Sequence, residues 1–122
     1  MQYLLLIYDN EADFAKMSKA DMEAMYAAYG SFTQSIKDSG NHRVSHQLQP
    51  VATATTVRVR DHKRVVTDGP FAETREQLGG FYLIEAKDLD EALAIAERVP
   101  SARVGSIEVR PLVAAAQRAG QT

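Results

Sequence analysis

Two short stretches of this chain are apolar on both of the faces that a β-strand presents. Residues 3–8 read YLLLIY and residues 81–84 read FYLI. Each run is too short for a helix and is bounded by polar residues or glycine, so each is expected to be a strand. Side chains alternate across a strand, which puts Leu4, Leu6 and Tyr8 on one side and Tyr3, Leu5 and Ile7 on the other. Phe81 and Leu83 oppose Tyr82 and Ile84 in the same way. An antiparallel sheet with one wet face would alternate apolar with polar instead. Both faces of this sheet therefore need cover. Leaving such side chains in water forgoes about 1.5–3 kcal/mol each, which is large beside a domain's whole stability of about 5–15 kcal/mol.

The remaining segments supply cover for one side only. Behind Ser18, whose S-x-x-D spacing resembles a capping box, Met22, Met25, Tyr26, Tyr29, Phe32 and Ile36 recur at three- and four-residue steps. They predict a helix over about 19–38, stopped by Gly40. A second stripe, Leu89, Ala92, Leu93, Ala96 and Val99, follows a cap at Asp88 and ends at Pro100. Between the helices, a strand over 44–49 ends at Pro50. Residues 55–60 alternate, reverse through Asp61-His62-Lys63 and return over 64–67 as a hairpin. Asp68-Gly69-Pro70 breaks that return, 71–80 reads as a polar loop with room for a short helical turn, and 81–86 is the next strand. The last strand covers 106–110 and is closed by Pro111.

Two strand–helix–strand units around a hairpin predict an α+β, ferredoxin-like sandwich, with both helices on one face of an antiparallel sheet. A second copy packing sheet to sheet would cover the other face; an Ala-rich tail folding back from Ala114 is the alternative. The domain is expected over 1–113, with a frayed tail over 114–122.

At 122 residues the chain holds one domain, and its 45% apolar and 25% charged residues are the balance of an ordinary globular protein. Fourteen basic against sixteen acidic residues give a net charge of −2, which excludes a generally basic surface. Arg58, Arg60, Lys63 and Arg64 make a small basic patch, but Asp61 interrupts it and no aromatics interleave, so nucleic acid is not an expected partner. The absence of cysteine excludes disulfides, thiolate metal sites and cysteine nucleophiles. The opening apolar run is too short for a signal-peptide core or a membrane span, so a cytoplasmic protein without membrane attachment is expected.

Candidate chemistry is sparse. His42 and His46 are four residues apart on a strand, a separation of about 13 Å, so they cannot share one metal ion at ~2 Å. His62 sits in the hairpin turn. Neither a metal nor another cofactor is expected; the histidines read as surface or rim residues, with His46 as the candidate for a lone proton carrier. No nucleophile elbow, S-x-x-K, phosphate loop or dinucleotide fingerprint is present. Gly79-Gly80 reads as backbone freedom or close packing before a strand. Residues 67–82, by contrast, crowd turn formers, charges and aromatics into one loop, and loops held by rigid strands are where binding groups collect. Asp68 either organises its own turn or offers a carboxylate base at the mouth of a cleft. Glu73, Arg75 and Glu76 are either a paired surface or ligand contacts, with Arg75 able to balance an anion. Tyr8 and Tyr82 read as core or as cleft acids. The catalytic candidates are thus Asp68 and His46, and the ligand-binding candidates are Arg75, Glu73 and Tyr82.

The same loop carries a resemblance. DGPFAETREQLGGFYLIEA closely resembles the signature of the YCII-related (DGPF-domain) family, GSIEVRPL resembles that family's last strand, and ATATTVRVRD and MQYLLLIY fit its pattern. The likeness spans about 1–113. It implies a bacterial protein with the dimeric α+β barrel fold, in which ferredoxin-like subunits pair through their sheets. It also implies a histidine–aspartate pair whose histidine lies in the first helix, and a distant relative that dehydrochlorinates a hydroxylated aromatic ring. Residues 21–37 of this chain contain no histidine; Tyr26 and Tyr29 occupy the middle of that helix. The pair is therefore broken here, or rebuilt with His46 or His42. Family genes that adjoin or are fused to genes for extracytoplasmic-function sigma factors imply a regulatory partner. Two functions follow: a small-molecule site beside the DGPF loop, with Asp68 as acceptor or base, or a non-enzymatic dimeric module that works through protein contact.

Overall fold

Local capping chemistry sets the helix boundaries. Ser18 accepts a hydrogen bond from the Asp21 amide at 3.1 Å, starting the long helix Lys19–Asp38, and Asp88 does the same for the Glu91 amide at 2.9 Å, starting the helix Leu89–Ala96. The computed structural model describes residues 1–114. In chain order it contains β1 (Gln2–Asp9), α1 (Glu11–Ala15), α2 (Lys19–Asp38), β2 (His42–Gln47), β3 (Thr55–Arg60), β4 (Lys63–Asp68), β5 (Gln77–Glu85), α3 (Leu89–Ala96) and β6 (Ser106–Pro111). Short 3-10 turns lie at Val51–Thr53 and Pro100–Arg103.

Four strands pair in the order β2-β5-β1-β6, and every pairing is antiparallel. This is the ferredoxin-like arrangement. The hairpin β3-β4 forms as expected but as its own two-stranded ribbon, an excursion in the connection from β2 to β5. Its turn is tighter than the sequence reading: Lys63 already pairs with Arg60, and Asp61 and His62 take φ values of 52° and 64°. Two left-handed residues match the strand twist of a two-residue hairpin.

Two other differences have identifiable causes. Residues 77–80, read as loop, belong to β5, which pairs Gln77 with Asp9 and Leu78 with Tyr8. Gly80 is required by close approach rather than by a turn: a Cβ there would lie 2.9 Å from the His46 carbonyl oxygen. The helix α1 escaped notice because it is only five residues long and its cap, Asn10, reads like loop; Asn10 Oδ1 accepts from the amides of Ala12 and Asp13 at 2.9 and 3.2 Å.

The core lies on one face of the sheet. Tyr3, Leu5 and Ile7 of β1 and Tyr82 and Ile84 of β5 pack with Phe32 and Ile36 of α2 and with Ala92, Ile95 and Ala96 of α3. Phe32 meets Tyr82 edge-on at 5.2 Å. On the opposite face, β1 and β5 place Leu4 beside Leu83 and Leu6 beside Phe81, with Val44 next to Leu83. These residues are only half-buried, and Val44 is exposed. The helices thus shelter one face, as the sequence requires, and an apolar strip remains on the other. The tail expected to fray, and its alternative role as a cover, fall on residues 115–122, outside the described residues.

Two substitutions test this packing by urea unfolding. Ile36, fully buried, should lose about 2–5 kcal/mol on change to Ala, whereas Val59→Ala on the ribbon, where the side chain is 63% exposed, should stay within about 0.5 kcal/mol. Gly105 enters β6 so close to β1 that a Cβ would lie 2.1 Å from the Tyr8 carbonyl oxygen and 2.7 Å from Asp9 Oδ1. Gly105→Ala should therefore destabilise by about 1–3 kcal/mol despite a half-exposed neighbourhood.

Candidate functional site

The stripe of α2 is unevenly buried. Phe32 and Ile36 near its end are 5% and 0% exposed, while Met22, Met25 and Tyr29 are only half-buried and Tyr26 is 51% exposed. Between this first half of α2, the short α1 and the ends of β1 and β5 lies a pocket of about 480 Å³. Two side chains brace its rim. Gln77 Oε1 accepts from the Glu11 amide at 2.9 Å, and Glu11 Oε1 accepts from the Val51 amide at 2.9 Å. These bonds tie α1 both to β5 and to the turn after β2.

Most of the lining is apolar or aromatic, and three of its polar groups, Asp9, Tyr29 and Ser101, are joined to one another. Ser101, 3% exposed, donates to Asp9 Oδ2 at 3.1 Å, and its hydroxyl oxygen also hydrogen-bonds the Tyr29 phenol. A serine has one proton to give. With that proton on Asp9, the phenol must be the donor to Ser101, so the chain of bonds runs Tyr29 to Ser101 to Asp9. Burial pushes the Asp9 carboxyl above its usual range and the negative charge of Glu76 adds to the rise, while the Ser101 bond opposes it. Burial also pushes the Tyr29 phenol up to about 12, so it stays protonated at neutral pH. The arrangement is a proton acceptor joined by a hydroxyl to a phenol that faces the pocket.

Beside it, His42 and Ser45 share a hydrogen bond of 2.8 Å, and Tyr82 Oη one of 2.6 Å with Thr33. His42 is held below its ordinary pKa by burial and by the charges of Lys37 and Arg43.

Of the residues singled out from the sequence, His46 and Tyr82 line the pocket, His46 lying tilted against the Phe81 ring at 6.0 Å. Asp68 does not join them. It ends β4 on the exposed ribbon, and its turn is tied by other groups: the Gly69 amide donates to the Ala54 carbonyl at 2.7 Å and Thr56 Oγ1 to the Gly69 carbonyl at 2.8 Å. Glu73 is exposed and lies outside the pocket. Arg75 lines a separate, polar depression with Asp13 and Glu76, and Glu76 accepts from Ser106 at 2.8 Å rather than pairing with Arg75.

Asp9, Tyr29 and Ser101 were not singled out. Asp9 read as the polar end of a strand and Tyr29 as one more stripe residue. Ser101 offers no signal of its own, because only the tertiary fold brings it to either partner. Among the described residues no group of three or more His, Asp or Glu side chains is placed to hold a metal ion, and no helix is long and apolar enough to cross a membrane.

Comparison with known proteins agrees with this architecture. The chain is 39% identical over 114 residues to an uncharacterised protein of Rhizobium meliloti (strain 1021), covering 92% of each. Its structure resembles that of 5-chloro-2-hydroxyhydroquinone dehydrochlorinase from Burkholderia phenoliruptrix AC1100, solved in complex with 2,5-dihydroxybenzoquinone. The TM-score is 0.52 at 17% identity, over 93% of this chain and 94% of that one. That likeness shows the fold, the ferredoxin-like subunit of the dimeric α+β barrel class. The YCII-related domain matches residues 1–115, and on that match the chain belongs to the YCII-related family.

Proposed function

We propose that this protein is a homodimer that binds a small molecule in the pocket between α1, α2 and the sheet, and takes a proton from it. The observation that carries the reading is the relay from Tyr29 through Ser101 to Asp9. Because the phenol gives its own proton to Ser101, its oxygen is left as an acceptor toward the pocket. A ligand N–H or O–H bonded there can pass a proton to Tyr29 as Tyr29 passes one to Ser101 and Ser101 one to Asp9. Tyr82 and His46 shape the wall, and His46 is a second proton carrier at the rim. Asp68, Glu73 and Arg75 belong to the outer surface in this reading. Tyr29 lies in the helix where the family resemblance implies a histidine, so the acid–base pair is rebuilt with a phenol. The dihydroxybenzoquinone held by the fold neighbour supports an occupant of aromatic-ring size.

The apolar strip of Leu4, Leu6, Phe81 and Leu83 supports dimerisation, since a sheet-to-sheet interface would remove it from water. A second reading draws support from the ribbon, where Val57, Val59 and Val66 are 61%, 63% and 50% exposed, and from Phe71, 79% exposed with the Arg58 guanidinium over its ring. Such a surface favours protein contact, and an extracytoplasmic-function sigma factor in the cytoplasm is the partner this reading names.

Asp9→Asn and Tyr29→Phe separate the two in a thermal-shift screen of aromatic fragments. For a carboxyl whose folded pKa is raised, the stability contribution is complete below the unfolded pKa and is lost as pH rises through the folded value. Asp9→Asn removes that loss and keeps an acceptor for Ser101. It should therefore be at least as stable as wild type at pH 7, yet bind proton-donating fragments more weakly than wild type does. Unchanged fragment binding by both variants would overturn the pocket reading and favour protein contact. For the dimer, Leu6→Lys should convert a wild-type dimer to a folded monomer in light scattering at micromolar concentration, and a monomeric wild type would refute the sheet interface.

A further inference from the structure

Apart from His46, the ionisable groups that line the pocket are acidic. Asp9 and Glu11 both line it, and among the described residues no lysine or arginine does. Each carboxylate is also incompletely bonded. Asp9 accepts only from Ser101, through Oδ2, and Glu11 only from the Val51 amide, through Oε1, among the described residues. The same lining holds four rings, Phe14, Tyr26, Tyr29 and Phe81. An anionic ligand would face two like charges with only His46 to balance it. A neutral aromatic would fill the apolar part and leave the free carboxylate oxygens unsatisfied. A cation satisfies both, because aromatic faces attract an ammonium group and a carboxylate accepts its protons.

We infer that the occupant is a small amine, with its ammonium group on the Asp9–Glu11 side and an aromatic or alkyl body among the rings. This rests on the pocket reading above and names the chemical class of its ligand. It also reverses the expectation that Arg75 balances an anion, since Arg75 lines the other depression. The rise in the Asp9 pKa fits the same picture: burial without a nearby cation raises it, and a bound ammonium group would bring it down.

Three probes of nearly one shape test the sign of the charge on the full-length chain: benzylamine, benzyl alcohol and benzoate, each titrated by calorimetry at pH 7. Benzylamine should bind roughly tenfold or more tightly than benzyl alcohol, and benzoate more weakly than either. In Asp9→Asn benzylamine should lose about fivefold or more beyond any loss by benzyl alcohol, so that the preference of amine over alcohol falls to about twofold. Equal or tighter binding of the alcohol or of benzoate to wild type would overturn the inference and leave the pocket standing. Failure of all three probes to bind wild type would overturn the inference together with the pocket reading on which it rests.

Discussion

Everything in this structure follows from a sheet whose two central strands are apolar on both sides. Only β1 and β5 have a strand on either hand, so their side chains must be sheltered above and below. Two helices can close over one face, and they do: Leu5 and Ile84 are fully buried beneath α2 and α3. On the second face Leu4, Leu6, Phe81 and Leu83 stay half in water. That asymmetry joins sequence to assembly. It also explains why the hairpin ribbon sits outside the sheet, since adding β3 or β4 beside β2 would extend an edge without covering a face.

The same geometry makes the pocket. A 20-residue α2 is longer than the sheet it crosses needs. Its last turns press Phe32 and Ile36 into the core, and its first turns overhang the end of β1, where α1 and the turn after β2 wall the gap. The strand therefore delivers Asp9 into a space that is neither core nor solvent. Burying a carboxylate against a single hydroxyl is unfavourable, as the raised pKa records. Gly105 adds to the specialisation, because any side chain there would collide with Asp9 and with the strand that carries it. A carboxylate held where it costs stability is the observation on which the proposed site rests.

What the sequence disclosed, and what it hid, divide along one physical line. Patterns with a local period were legible: α2 runs over the residues its stripe and cap predict, the hairpin forms where 55–60 alternates, and the doubly apolar runs became the central strands. Features that depend on distant partners were not. Gly79 and Gly80 look like a break until β2 is seen passing against Gly80. Asp68 looks functional because its neighbours are a motif, but the ribbon carries it away from the pocket. Tyr29 contributed to a helical period whether its hydroxyl was idle or bonded, and Ser101 reaches it across 72 residues of chain. A relay assembled from three elements has no period to read.

In the proposed site, a phenol standing where the family resemblance implies an imidazole would change the chemistry available. An imidazole titrates near neutrality and can hold or release a proton as conditions vary. Tyr29, pushed up to about 12, holds its proton throughout the physiological range. Its hydrogen is committed to Ser101, whose hydrogen is committed to Asp9, so the direction of the relay is set by the one group that lacks a proton. Seen from the pocket, both ends of the relay are acceptors. The carboxyl groups of Asp9 and Glu11, which line the pocket, accept hydrogen bonds as well. In the function proposed above, a ligand for this site brings the donors, and the proton it gives up travels toward Asp9.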